Sequence, residues 1–281
     1  MNENPTASDW AAERGEKWLS QLAGMEAMIA CVDEPLIAAL QLDAPCRIAD
    51  IGCGGGGATF DILRHALTGS IVHGFDISPA LIKSARASIP SGERNIAFEL
   101  ADVSTAPAPK EPYDRLVSRF GVMFFEDPRA AFANLTRWLA PEGRFAFAVW
   151  GLPADNPWMK VVREVVVSFI DVPRPDIEAP GPFRYGEVDK LLTLLSDAGF
   201  SNIEVQDWRG QLPVGGGLPA AEAADFSLAS YSAIAELMAE AGEGVRNQVR
   251  DTLIERFSEH ESDGKVYMDA SVHIVTGGVK S

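Results

Sequence analysis

From residue 46 to 150, short apolar runs alternate with segments whose apolar residues recur at helical spacing. That alternation predicts an α/β chain with a parallel sheet and helices on its faces. The predicted strands are Cys46–Ile51, Ser70–Asp76, Asn95–Ala101, Arg115–Ser118 and Arg144–Trp150. Between them, Phe60, Leu63 and Leu67 form one helical face. Asp127 and Pro128 cap a further helix whose buried side carries Phe132, Leu135, Trp138 and Leu139. Pro141-Glu142-Gly143 then turns the chain into the fifth strand.

The flanks follow other patterns. Residues 8–42 predict two helices, the first with an apolar stripe of Trp18, Leu22, Met25 and Ile29, the second starting near Asp33 and Pro35. Residues 1–45 therefore form an N-terminal helical lid, and 46–281 the main domain. Beyond Trp150, Pro153, Pro157, Pro173, Pro175, Pro180 and Pro182 break the chain around a short helix near Met159–Ile170. This stretch, at about 151–186, is an insertion that covers substrate. Asp189–Ala198 is a helix closed by Gly199, a strand follows near Asn202–Asp207, and the alternating Ala270–Val275 gives a last strand. A second cover, at about 211–265, is largely helical and places Val249, Leu253 and Phe257 on one face.

Composition narrows the function classes. With 281 residues, 47% hydrophobic and 23% charged, the chain is in the soluble globular range, and no window approaches the roughly 18 apolar residues of a membrane span. The polar, acidic opening MNENPTASDW lacks an export signal, so a cytoplasmic enzyme is expected. A net charge of −16 without a Lys/Arg cluster argues against nucleic acid. Cys31, Cys46 and Cys53 include no Cys-x-x-Cys pair, which suggests reduced, structural thiols and no metal site.

The stretch Ile48–Leu63, IADIGCGGGGATFDIL, satisfies two nucleotide patterns at once. Gly-x-Gly-x-x-Gly fits Gly52, Gly54 and Gly57, while acidic-x-Gly-x-Gly-x-Gly fits Asp50, Gly52, Gly54 and Gly56. The glycines alone do not distinguish them. Open α/β sheets bind ligands beyond the carboxyl ends of their strands, so the other strand ends matter. Asp76, followed by Ile77, ends the second strand, where a carboxylate suits two ribose hydroxyls. Asp102 and Val103 follow the third, where a carboxylate suits an exocyclic amine and a valine the edge of an adenine. A dinucleotide has no particular need of that third feature. One adenosine joined to an amino acid uses all three.

Asp50-Ile51-Gly52-Cys53-Gly54-Gly55-Gly56, Asp76, Asp102 and the segment from Tyr113-Asp114 to Phe125 resemble, in order, the motifs of class I S-adenosylmethionine-dependent methyltransferases. Leu139-Ala140-Pro141-Glu142-Gly143-Arg144 is similar to the family's Leu-x-Pro-Gly-Gly-x turn, with Glu142 in place of a glycine. Trp10, Gly15 and Trp18, the run Ser118 to Phe125, Trp150 and Asn156-Pro157-Trp158 resemble a bacterial small-molecule group that includes quinone-biosynthesis-type enzymes. The resemblance implies a Rossmann-like, doubly wound sheet of seven strands, the last antiparallel, with S-adenosylmethionine across the carboxyl ends. It also implies roles: Gly52, Cys53 and Gly54 against the cofactor backbone to backbone, Asp76 and Ile77 at its ribose, Asp102 and Val103 at its adenine. By the same comparison Ser118 meets the methionine end and Trp18 closes over it.

Methyl transfer is an in-line displacement for which positioning alone supplies about 7 to 11 kcal/mol, so no metal is required. A base adds roughly a hundredfold or more when the acceptor must lose a proton. His65, His73, His260 and His273 are all expected away from the carboxyl ends. Three options stay open: an acceptor already anionic, a neutral amine, or a base in an accessory segment. Arg119 either holds an anionic substrate or pairs with a nearby carboxylate. Phe120, Phe124, Trp150 and Trp158 suit an aromatic pocket, and Asn156 either fixes its loop or reaches substrate. The expected activity is methylation of an O, N or C atom of a small, apolar or aromatic molecule. A nicotinamide-dependent dehydrogenase, for which no Tyr-x-x-x-Lys pair is evident, and a non-catalytic cofactor-binding module are the alternatives.

Overall fold

A computed structural model describes residues 15–172 and 176–279, with side chains from Leu19 onward except that of Ser232. Trp10 lies outside the described residues, and Trp18 is described only as backbone in the first helix. That helix, α1 (Gly15–Ile29), passes through a single 3-10 turn into α2 (Asp33–Ala39). The alternating region follows as β1 (Arg47–Ile51), α3 (Gly57–His65), β2 (Ile71–Asp76), α4 (Pro79–Ala87), β3 (Ile96–Leu100), β4 (Tyr113–Arg119), α5 (Pro128–Leu135) and β5 (Leu139–Trp150). Next come α6 (Pro157–Val167), α7 (Val188–Ala198), β6 (Phe200–Pro213), α8 (Ala220–Ser230), α9 (Ser232–Glu240), α10 (Glu243–Ser258), β7 (Glu261–Ser262) and β8 (Lys265–Val279).

The main sheet runs β3-β2-β1-β4-β5-β8-β6, and the short β7 folds back on β8. Strands β1 to β5 pair in parallel, whereas β8 is antiparallel to both β5 and β6. The expected Rossmann-like sheet, with its last long strand reversed, is therefore present. Strand order reverses at β1, which has β2 on one side and β4 on the other. This switch point opens a crevice at the carboxyl ends of β1 and β4. Ile48 to Ile51 and Phe145 to Trp150 are buried without alternation, as central parallel strands covered on both faces require. Among the described residues, no helix is long and apolar enough to cross a membrane.

Local expectations shift in four places. The face of α3 against the sheet is Ala58, Thr59 and Ile62, small enough for close approach, while Phe60 stacks on Phe98 at 5.4 Å and Leu67 is 47% exposed beyond the helix end. Helix α5 stops at Leu135, so Trp138 packs from the following turn, its ring 4.9 Å from that of Phe75. Strands β6 and β8 are longer than their apolar alternation suggests, because β6 is an edge strand whose Glu204, Gln206 and Asp207 face solvent. Glu142, where the family places glycine, takes φ of 65°, the left-handed conformation that a glycine adopts without a Cβ penalty.

One buried charge couples β1 to α3. Asp50 is 1% exposed, and Thr59 in the first turn of α3 donates Oγ1–H to its Oδ2 at 2.7 Å. Its Oδ1 has no hydrogen-bond partner among the described residues. Burial pushes this carboxyl from an ordinary 3.8 up to about 7, against the opposing pull of Thr59 and Arg119. A carboxyl raised on folding stabilises fully below its unfolded pKa, and the contribution is lost as pH climbs through the folded value. Asp50→Asn keeps an acceptor for Thr59 and removes the titration. In urea unfolding at pH 5 and pH 8, the variant is expected to lose less stability than wild type, by on the order of 2 kcal/mol; parallel losses would show that Asp50 ionises normally.

Candidate functional site

The ends of β1, β2 and β3 form one hydrogen-bonded unit. Gly52 N–H and Cys53 N–H both donate to Phe75 O, at 2.8 and 3.0 Å, which staples the loop after β1 to the end of β2. Asp76 continues the link: its Oδ2 accepts from Gly54 N–H at 2.9 Å and its Oδ1 from Ser78 N–H at 2.8 Å. Ala101 N–H, just past β3, donates to Asp76 O at 3.0 Å. Burial raises the Asp76 pKa, opposed by the amides of Ser78, Gly54 and Ile77. A carboxylate offers about four acceptor sites, so Asp76 retains capacity beyond these amides. Ile77 lies half-buried beside it.

The glycine run divides its duties. A Cβ on Gly52 would sit 2.9 Å from Gly121 Cα, and one on Gly121 would sit 2.7 Å from Ile51 O. The turns after β1 and β4 thus touch backbone to backbone. Gly55 lies under Leu22 of α1, Gly56 against Phe98, and Gly57 under the Glu26 carboxylate. Gly54, at φ of 55°, is the member of this run where a Cβ would meet nothing within 4 Å. Gly54 is half-buried and Gly52 exposed, so backbone of the run is accessible at these two. Cys53 turns its thiol inward beside Gly74, and burial pushes the pKa well above the ordinary value, which leaves it unreactive.

Asp102 caps its own turn. Its Oδ1 accepts from Ser104 N–H at 2.9 Å and Ser104 Oγ–H at 2.6 Å, while Oδ2 has a single long bond of 3.4 Å from Thr105. Val103 is buried and its carbonyl accepts from Asn134 Nδ2 at 2.8 Å, so α5 fixes this bend. Ser118 differs from its expected part at the methionine end. Its hydroxyl donates to Ile51 O at 2.7 Å and accepts from Gly121 N–H at 3.2 Å, so its one proton already clamps β4 to β1.

Arg119 is likewise engaged within the protein. Nη1 reaches Asp33 Oδ1 and Oδ2 of α2 at 2.8 and 2.7 Å, and Nη2 pairs with Glu26 of α1. Burial works against its charge, but Glu26 and Asp33 raise its pKa above the ordinary value; burial raises that of Asp33, with Arg119 opposing. Of the two alternatives for Arg119, the structure shows the pairing with nearby carboxylates, one from α1 and one from α2. Glu26 carried no motif. Its only trace in the sequence is its place between Leu22 and Ile29 beside the apolar stripe of α1.

Past Arg119 stands an aromatic wall. Phe120 holds φ of 62°, a conformation that costs a bulky side chain about 1–3 kcal/mol. Its amide donates to Ala148 O at 3.0 Å, and its ring stacks on Trp150 with centroids 4.0 Å apart and planes 5° apart. Trp150 meets Trp158 at 4.8 Å, and Trp158 meets Phe183 at 6.0 Å and Tyr231 at 5.6 Å. Phe120, Trp150 and Trp158 are therefore brought together, and Phe124 packs half-buried against the core nearby. Phe183 and Tyr231 were not foreseen, since they lie in insertions without a motif. Of the two alternatives for Asn156, the structure shows the one that fixes its loop: it is 0% exposed, its Nδ2 donates to Leu152 O and Ser271 O, and its Oδ1 accepts from Trp158 Nε1 and Ser271 N–H. All four of its hydrogen-bonding positions bracket the loop.

His65 Nδ1 lies 2.8 Å from Asp61 O, and His73 Nδ1 lies 2.8 Å from the Tyr113 hydroxyl. His273 is nearer the carboxyl edge than expected, opposite Val149, yet its ring nitrogens face Asp207 at 2.6 Å and Gly186 O at 3.3 Å. No group of His, Cys, Asp or Glu suited to a metal occurs among the described residues.

Residues 49–147 match a family model described as a methyltransferase domain. An aklanonic acid methyltransferase from Streptomyces sp. (strain C5) is 34% identical over 102 residues, 36% of this chain and 46% of that one. A trans-aconitate 2-methyltransferase from Variovorax paradoxus is 30% identical over 170 residues, 59% of this chain and 58% of that one. The chain thus spans about half the length of these curated relatives. A solved structure of a putative methyltransferase from an antibiotic biosynthesis pathway of Anabaena variabilis shares the fold, with a TM-score of 0.61 at 14% identity over 90% of this chain and 100% of that one. That domain match spans β1 to β5, where the motif-bearing bends join at one sheet edge, so residues 49–147 are similar to a methyltransferase domain.

Proposed function

We propose that this chain transfers a methyl group from S-adenosylmethionine to an O, N or C atom of a small, apolar or aromatic molecule. The observation that carries this is the linkage of three adjacent strand ends through Asp76, beside the exposed Gly52 and the half-buried Gly54, where a Cβ would meet nothing within 4 Å. The residues present fit an adenosyl amino acid. Gly52, Cys53 and Gly54 offer backbone for close approach, Asp76 and Ile77 flank a ribose, and Asp102 keeps one lightly engaged oxygen for an amine next to Val103. When bound, S-adenosylmethionine supplies an electrophilic methyl group on a sulfonium. Helix α1, with Leu22 and Glu26 over the glycines and Trp18 one turn earlier, acts as the lid. The segments at about 151–186 and 211–265 act as the substrate cover.

The wall of Phe120, Trp150 and Trp158 orients a ring and excludes water from the side of the acceptor. The names of the relatives, one specifying aklanonic acid and the other trans-aconitate, differ in acceptor. The aromatic wall favours a ring. With His73 and His273 engaged within the protein, catalysis rests on positioning of donor and acceptor. A cytoplasmic small-molecule enzyme without a nucleic-acid partner agrees with a net charge of −16.

Two measurements test this. In calorimetry, S-adenosylhomocysteine is expected to bind and NAD not, and Asp76→Ala is expected to weaken S-adenosylhomocysteine by about ten- to a hundredfold, since charge-assisted hydrogen bonds contribute about 1.5–3 kcal/mol each. Preference for NAD would overturn the proposal. Arg119→Met leaves Asp33 and Glu26 facing each other without their cation, and is expected to lower the unfolding free energy by about 3–5 kcal/mol. Adding Asp33→Asn is expected to recover part of that loss, and an unchanged urea midpoint for the single variant would remove the lid's anchor.

A further inference from the structure

Three buried hydroxyls on one stretch of the helical cover stand out by their hydrogen bonding. Ser227, Ser230 and Tyr231 are spaced i, i+3 and i+4, which sets them on one face at the carboxyl end of α8. All three are buried, and neither serine Oγ nor the Tyr231 hydroxyl makes a hydrogen bond of normal geometry among the described residues. They are close neighbours, for Ser227 stands near enough to Tyr231 to oppose, weakly, the rise that burial imposes on the phenol's pKa. Buried hydroxyls without partners are uncommon, because each forfeits its bonds to water, and a group of three calls for an explanation.

Their position supplies one. Helix α8 is held from two sides. Phe226, next to Ser227, packs on Gly24 of α1, the helix whose Leu22 lies on Gly55 of the glycine run. Tyr231 packs on Trp158, which leads through Trp150 to Phe120 and so to the Gly121–Gly52 contact. The hydroxyls therefore belong to an element clamped between the lid and the aromatic wall.

We infer that Ser227, Ser230 and Tyr231 are the polar recognition face of the acceptor site, and that the acceptor is a neutral aromatic molecule bearing hydroxyl or carbonyl oxygens. This rests on the methyltransferase proposal above. Serine hydroxyls donate and accept, and the buried phenol stays protonated at neutral pH and donates, so the trio matches oxygens on a flat ring. Arg119, the cation at the end of β4, is already engaged by Glu26 and Asp33 and offers no charge to a carboxylate. A di- or tricarboxylate would enter without that counter-charge; a neutral phenol needs none.

The test uses the full chain with Ser227→Ala, Ser230→Ala and Tyr231→Phe, each removing one oxygen. S-adenosylhomocysteine binding is measured first by calorimetry, and its failure in wild type sinks the methyltransferase proposal rather than this one. Binding of 1-naphthol, 1-hydroxyanthraquinone and trans-aconitate is then followed with S-adenosylhomocysteine present, by quenching of tryptophan emission and by calorimetry, and methylation of each is followed with the labelled donor. The expected result is binding of at least one hydroxylated aromatic in preference to trans-aconitate. Each variant then loses roughly tenfold in affinity or KM for that acceptor, the loss of one hydrogen bond, with S-adenosylhomocysteine affinity and melting temperature preserved or the latter raised. A structural role would move the melting temperature down and leave acceptor affinity alone. That outcome, preference for trans-aconitate, or no binding of any hydroxylated aromatic each overturns the inference.

Discussion

A buried guanidinium between two carboxylates holds the upper half of this protein together. Arg119 leaves the end of β4 and meets Asp33 from α2 and Glu26 from α1. Taking three charges out of water is unfavourable for each of them alone, so none is tolerable without the others. The same geometry seats α1 on the glycine run, because Glu26 lies on Gly57 and Leu22 on Gly55. What covers the crevice and what ends the fourth strand are therefore one electrostatic unit.

Beneath that cover, the crevice is built almost wholly from backbone. Phe75 O receives two amides from the glycine loop, Asp76 gathers a third, and Ala101 joins from the next strand. Side chains enter mainly as fixings: Ser118 clamps β4 to β1, and Asn134 sets the bend at Val103. The proposed acceptor side is different in kind: rings that follow β4, end β5 and start α6 pack face to face or at a tilt.

How much of this was legible follows from the range of each interaction. The sheet and its bends were readable because strand burial, glycine turns and strand-end acids are local signals: Gly52, Asp76 and Asp102 stand where their spacing put them. The aromatic wall was partly readable, since Phe120, Trp150 and Trp158 follow strand ends. For Arg119 and Asn156 the sequence left two roles open and did not identify the partners, because these lie far away in the chain, at Glu26 and Asp33 in one case and Ser271 in the other. Tyr231 escaped notice for the same reason: nothing local marks a helix end that folds back onto Trp158. The face of α3 was misjudged because large apolar residues drew attention from the small ones that allow close packing.

The contact between Gly52 and Gly121 has a consequence for how such a chain diversifies. Two main chains without side chains between them act as a spacer of fixed thickness. The gap from the donor-holding loop to Phe120 is then insensitive to repacking elsewhere in the interior. On the function proposed above, new acceptors would be accommodated by rewriting the helical insertions, while the distance over which a methyl group travels would be inherited unchanged.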